Sequence, residues 1–270
     1  MNKYGLFTDM TNESYHEDNG FLSSSRIKLI LQSPEMYFKK YIKKEVKDES
    51  SDIFDTGTAI HARILEPDVY AQTVVFFNGT RRGKVWDEFK AANVGKLILG
   101  DMQKMQLDRM YESFIKSDLG PKLISGGQSE VSLFTQLNGF DIKVRADYLN
   151  VNEGKIFDLK STSGIISEEK FKYNLESKLY GYDLQAALYV DAYGNFSKFK
   201  KYTQFEFYWI VMSKDFDDIK FFKASDTLIA QGREKYIRAL ELIKKYESEG
   251  WEFKNDVIEV FPSNMFSGEF

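Results

Sequence analysis

Apolar and polar positions change period several times along the chain, and each change marks an element. After Ser23-Ser24-Ser25, whose hydroxyls suit a helix start, Arg26-Ile27-Lys28-Leu29-Ile30-Leu31 predicts a short helix. Ser33-Pro34-Glu35 opens a second, with proline at a tolerated first-turn position and Met36, Tyr37, Phe38, Tyr41 and Ile42 as apolar contacts. Phe54 to Leu65 predicts a third helix, opening after Asp55 and containing Gly57-Thr58-Ala59-Ile60-His61. Residues 101–116 predict a fourth, packed through Met102, Met105, Leu107, Met110, Tyr111 and Phe114.

The period then shortens to two. Glu130 to Leu137 leads into Asn138-Gly139, a strong hairpin signal, and Phe140 to Leu149 is the return strand. Asn152-Glu153-Gly154 turns the chain into a third strand, Lys155 to Lys160. Residues 176–193 predict a helix, Gln204 to Met212 an apolar strand, Ile219 to Phe222 a short strand, and 226–247 a long closing helix. Helix, three strands, helix, strand is the order of an α/β protein with a central mixed sheet flanked by helices.

Composition narrows this further. The 270 residues, 43% hydrophobic and 16% aromatic, suffice for a substantial core, and no linker or repeat marks a seam, so one domain over 1–270 is expected. With no cysteine there is no disulfide, zinc-thiolate knot, cysteine nucleophile or protein-ligated iron–sulfur cluster. The first twenty residues, with Asp9, Glu13, Glu17 and Asp18, do not read as a targeting segment. No run approaches the roughly 20 apolar residues of a membrane span, and the lack of cysteine and of a targeting signal suits a cytoplasmic protein, which is the expectation. A net charge of -4 argues at first against a nucleic-acid partner, but it hides local basic fields. Lys39, Lys40, Lys43, Lys44 and Lys47 cluster around one helix, Arg81, Arg82 and Lys84 form a patch fit for phosphate, and Lys198, Lys200 and Lys201 form a third group. Solvated faces and loop solubility are the plain alternatives.

The chemistry concentrates on the second and third strands. Asp158 and Lys160 are two residues apart, which on a strand puts them on one face about 6 to 7 Å apart, with Leu159 pointing into the opposite layer. The turn before Lys155 brings Asp147 alongside Asp158. Two carboxylates and an amine at a sheet edge suit magnesium or manganese and the charge of a scissile phosphate. His61 is a candidate further ligand or a packing residue, and Glu130 a ligand or a support. Gln185 and Tyr189, four apart on a helix, share a face and suit a phosphate, the lysine or a water, or simple packing.

In order, these pieces resemble the PD-(D/E)xK nuclease superfamily, and within it the phage and prophage RecE-like, or exodeoxyribonuclease VIII-like, exonucleases. The matching elements are Ser33-Pro34, Gly57 to His61, Glu130, Arg145-Ala146-Asp147-Tyr148, Asp158-Leu159-Lys160-Ser161-Thr162, and Gln185 to Tyr189, spanning approximately residues 20–212. Ala146 stands where the superfamily motif often has proline.

The resemblance implies a restriction-endonuclease-like core and a metal-dependent exonuclease digesting one strand of duplex DNA 5′ to 3′. His61, Asp147 and Asp158 would hold Mg2+ or Mn2+, with the Leu159 carbonyl as a further ligand. Lys160 would position the attacking water, Glu130 would assist, and Gln185 and Tyr189 would shape the phosphate site. It also implies double-stranded DNA with a free end as partner, a ring-forming homo-oligomer, and a phage annealing protein or recombinase that takes over the single strand. Two other readings stand beside it: another endonuclease or repair nuclease of the superfamily, and a noncatalytic DNA-binding or assembly protein on the same scaffold.

Overall fold

A short edge strand, β1 (Gly5–Phe7), and one helical turn, α1 (Asn12–His16), precede the first predicted helix. Ser23 caps α2 (Ser24–Gln32), its hydroxyl accepting from Arg26 N at 3.4 Å. Ser33 caps α3 (Pro34–Tyr37), accepting from Met36 N at 3.2 Å, and the helix continues as a π turn over Phe38–Ile42. Then come α4 (Asp55–Leu65) and α5 (Pro67–Thr73), followed by β2 (Val74–Phe76), α6 (Lys84–Ala92) and β3 (Leu97–Leu99), where β2 and β3 pair in parallel. The helices α7 (Asp101–Lys116) and α8 (Gly120–Leu123) lead to the strands.

The hairpin forms as expected from β4 (Gln128–Leu137) and β5 (Phe140–Asn150), which meet at Leu137↔Phe140. Asn138 (φ 52°) and Gly139 (φ 81°) are both left-handed, the conformation such a tight turn requires. β6 (Lys155–Thr162) follows, then α9 (Glu168–Glu176), α10 (Tyr182–Asn195), β7 (Glu206–Ser213), β8 (Ile219–Lys223) and α11 (Asp226–Glu249). The helix expected over 176–193 is α10, which starts at Tyr182 with Gly181 at φ +51° at its head, and α9 is a further helix in the stretch before it, where the sequence pattern predicts no element. This computed structural model describes residues 4–17, 20–46, 55–177, 181–196 and 205–253. Lys47, Phe54, Lys198, Lys200, Lys201 and Gln204 lie outside them.

The main sheet has six strands in the order β1-β4-β5-β6-β7-β8. Only β6 and β7 run parallel within it, joined through α9 and α10, so the sheet is mixed as predicted. Strand β7 shows why its sequence is a near-continuous apolar run: Phe207, Trp209 and Val211 face one core, and Ile210 and Met212 face the other. The first core lies under α2, α10 and α11, and the second under α4 and α7. Three layers result, with the sheet between two helical covers. Among the described residues no helix is long and apolar enough to cross a membrane.

Candidate active site

The site forms where two neighbouring strands part. β5 and β6 pair only at Tyr148↔Phe157, Leu149↔Ile156 and Asn150↔Lys155. Immediately beyond Tyr148 and Phe157 stand Asp147 and Asp158, one on each prong of the fork. Asp147 spans the opening: its Oδ2 accepts from the backbone N–H of Leu159 at 2.7 Å. The side-chain alternation of β5 also changes phase here. Val144 and Ala146 face the first core, Tyr148 faces the second, and Leu149 returns to the first. That slip frees Asp147 from either core and leaves it half-buried at the cleft.

Glu130 stands opposite Asp147 across the hairpin, between the pairs Ser129↔Tyr148 and Val131↔Ala146. Two facing carboxylates repel, and Glu130 additionally sits at φ 51°, an uncommon conformation for a residue with a Cβ. Such strain persists where the surroundings over-determine it, and here Arg145 Nε donates to Glu130 Oε2 at 2.7 Å. The same guanidinium donates to the carbonyls of Met10 and Thr11, tying the N-terminal segment to the site. Gly126-Gly127 makes the approach to Glu130 feasible, because a Cβ on Gly127 would stand 2.5 Å from the Leu149 carbonyl oxygen. Burial, and next the charge of Asp147, push the Glu130 carboxyl up to about 7, against the pull of Arg145 and His61.

His61 reaches the same place from α4, whose Ala59 and Ile60 are buried in the second core. Its Nδ1 lies 3.5 Å from Asp147 Oδ2. One ligand atom each from His61, Glu130 and Asp147 fall within 4.8 Å of one another, and no other such group of three occurs among the described residues. Two carboxylates and an imidazole at this spacing fit a hard divalent cation. Glu130, a ligand or a support on sequence grounds, is one of the three members of this group, and Asp158 is not among them.

Asp158 and Lys160 share a face of β6, as their spacing required, and that face looks toward α10 and α2. Asp158 is buried, with Oδ2 ion-paired to Lys160 Nζ at 2.6 Å although no angularly well-formed hydrogen bond reaches that oxygen. Its Oδ1 accepts from Gln185 Nε2 at 2.9 Å. Burial raises the Asp158 pKa despite the lysine. Burial also opposes the Lys160 charge, but Asp158 and Asp147 outweigh it and hold the ammonium above its ordinary pKa. Behind Gln185 lies Lys28 of α2, whose Nζ is 3.4 Å from Gln185 Oε1. Burial, reinforced by Lys160, lowers the Lys28 pKa to about 8. Lys28 carried only a weak sequence signal, a cation within the apolar stretch Ile27 to Leu31.

Other expected site residues lie farther out. Tyr189 is buried edge-on against Tyr193 and Phe207, without a hydrogen bond to the cluster. Burial pushes its phenol pKa well up. Arg81 is committed to local structure, donating to the Ile98 carbonyl and Gln103 Oε1 and lying over the Trp86 ring. Arg82 and Lys84 are exposed, and Lys84 pairs at 3.8 Å with Glu88. None of these three cations contacts the acidic cluster. A cavity of about 180 Å³, lined partly by Leu31, Leu184, Lys235 and Arg238, reaches the site only through Lys28 and does not mark the chemistry.

A mixed sheet between helical layers, with Asp147, Asp158 and Lys160 at a strand fork, defines a member of the PD-(D/E)xK nuclease superfamily. More narrowly, the chain belongs to the family described as a PDDEXK-like domain of unknown function (DUF3799), whose model matches residues 23–254. Its fold is similar to that in a crystal structure of a "Putative exonuclease" from Eubacterium rectale, with a TM-score of 0.64 at 17% identity, covering 97% of this chain and 100% of that one. A second structure, of SSO0001, aligns at 12% identity over 82% of this chain and 77% of that one, with a TM-score of 0.34. Comparison with curated proteins found no match.

Proposed function

We propose that this PDDEXK-like nuclease domain is a Mg2+- or Mn2+-dependent deoxyribonuclease that digests duplex DNA from a free end, 5′ to 3′. The observation that carries the reading is the convergence of His61, Glu130 and Asp147 within 4.8 Å, beside the Asp158–Lys160 pair. These three residues would hold the cation, with Asp158 and the Leu159 carbonyl as further ligands on the β6 side. When bound, the cation supplies a Lewis acid for the phosphate and acidifies the attacking water.

The chain's own groups do the rest. Lys160 presents a fixed positive charge to the water and to the negative charge that builds on phosphorus-bound oxygen as the new P–O bond forms. Asp158 aims Lys160, Gln185 holds Asp158, and Tyr189, buried one turn farther along α10, would shape the phosphate site from the core side. The water's proton passes to solvent, the opposite P–O bond breaks in line, and the leaving sugar oxygen takes up a proton from solvent. Arg82 and Lys84 are proposed outer phosphate contacts. A ring-shaped homo-oligomer threaded by the duplex, and handover of the single strand to a phage-type annealing protein or recombinase, belong to the same proposal. They rest on the resemblance to RecE-like exonucleases.

The test incubates purified protein with linear duplexes labelled separately at each 5′ and each 3′ end, across a Mg2+ series with EDTA and Lys160→Ala controls. Metal-dependent loss starting at the 5′ terminus is expected, with sealed circular duplex left intact. Cleavage of the sealed circle would make the protein an endonuclease. Metal-independent binding without hydrolysis would make it a noncatalytic DNA-binding protein, and full activity in a folded Lys160→Ala protein would overturn the role given to Lys160.

A further inference from the structure

Lys28 belongs to no motif, yet its position is closely built. Its aliphatic stem lies along Gly181, where an added Cβ would stand 3.5 Å from Cδ and Cε. Its ammonium is 3.4 Å from Gln185 Oε1 and 5.8 Å from the centroid of the Tyr182 ring. Lys160 Nζ stands 5.1 Å from the centroid of that same ring. The two lysines therefore flank one aromatic side chain and are also joined through a chain of contacts, Lys28 to Gln185 to Asp158 to Lys160.

A glutamine amide has one accepting end and one donating end. Lys28 only donates, so it engages Oε1, and an ionised Asp158 only accepts, so it takes Nε2. Turning the amide over would set the ammonium against NH2 and the carboxylate against the carbonyl oxygen. Both ends of Gln185 are thereby fixed, and a polarised amide binds its carboxylate more tightly than a free one.

We infer that Lys28 is a positioning residue for the proposed hydrolysis: it locks the Gln185 amide, which orients Asp158 and through it Lys160. The inference rests on the nuclease reading for its kinetic consequence, but the link from Lys28 to Gln185 has a readout of its own. Lys28 acts from behind the carboxylates and does not contact the phosphate.

The experiment compares full-length wild type, Lys28→Met, Lys28→Arg, Gln185→Leu and the Lys28→Met/Gln185→Leu double variant. In the metal-free protein, the Gln185 side-chain amide resonances should shift in Lys28→Met and return toward wild type in Lys28→Arg. In Mg2+-dependent hydrolysis, Lys28→Met should lower kcat by about 10-fold with KM within about 2-fold, and the double variant should be no slower than Gln185→Leu alone. A raised KM with wild-type kcat would overturn the inference in favour of a direct phosphate contact, and additive losses in the double variant would also overturn it. Unmoved Gln185 resonances in an active Lys28→Met protein would defeat this inference alone. A wild type without hydrolysis would instead defeat the nuclease reading, and the kinetic role of Lys28 with it.

Discussion

Oδ2 of Asp147 accepts the backbone N–H of Leu159 at 2.7 Å, across the point where β5 and β6 stop pairing. One carboxylate thus completes a broken ladder and also faces His61 and Glu130. The two jobs separate by substitution. Asp147→Asn keeps an acceptor for Leu159 and should cost about 1 kcal/mol or less, whereas Asp147→Ala leaves that N–H unpaired at about 1 to 3 kcal/mol. Urea denaturation in EDTA should rank the two this way, while both lose metal-dependent hydrolysis. Equal destabilisation by the two variants would contradict the bridging role.

Glu130 makes the metal-free protein sensitive to pH. Its folded carboxyl is raised from the ordinary 4.5 to about 7, so the folded state binds more protons than the unfolded state between those values. Stability from this group is present below about pH 4.5 and is lost as pH rises through about 7, to a total on the order of 3 kcal/mol. Glu130→Gln should flatten that fall, read as urea midpoints at pH 5 and pH 8 in EDTA. A parallel pH dependence in wild type and variant would refute the assignment.

Cation binding should oppose the same proton. Because a ligand carboxylate must be deprotonated, Mn2+ affinity should tighten between pH 6 and pH 8 and binding should release protons. Calorimetry in two buffers of different ionisation enthalpy measures the number released. Mn2+ should also raise the melting temperature of wild type by mass action, and His61→Ala should shrink that shift. An undiminished shift in His61→Ala would remove the histidine from the ligand set.

The scaffold behind the site depends on one close helix crossing. A Cβ added at Gly232 of α11 would meet the Asp183 carbonyl oxygen of α10 at 2.1 Å. Backbone cannot yield there as a flexible side chain would, so overpacking outweighs the roughly 1 kcal/mol that alanine gains over glycine in a helix. Gly232→Ala should destabilise by about 2 kcal/mol. It should also slow hydrolysis, since α10 carries Gln185 against Asp158. A variant more stable than wild type would show that the helices do not approach so closely.

Long, strongly periodic elements were legible in the sequence, and short ones were not. The β4–β5 hairpin announced itself through alternation and Asn138-Gly139, and α11 through its length. Three-residue strands such as β1, β2 and β3 carry no period to read, and β1 acquires its partner from residues 132–134, far along the chain. Helix α9 was also missed, because its nine residues bury only Phe171 and Leu175, too few apolar positions to show a helical period.

The same division runs through the site. Sequence alone placed Asp158 and Lys160 on one face of a strand with Leu159 on the other, because that follows from a period of two within a few bonds. It could name His61, Glu130 and Asp147 but could not weigh them. Only the tertiary structure set Glu130 opposite Asp147 with His61 beside them, left Asp158 to the lysine, and put Lys28 behind Gln185. Those distances depend on how α2, α4 and α10 pack against a sheet that splits beyond the Tyr148↔Phe157 pair, and packing between distant segments has no local period to betray it.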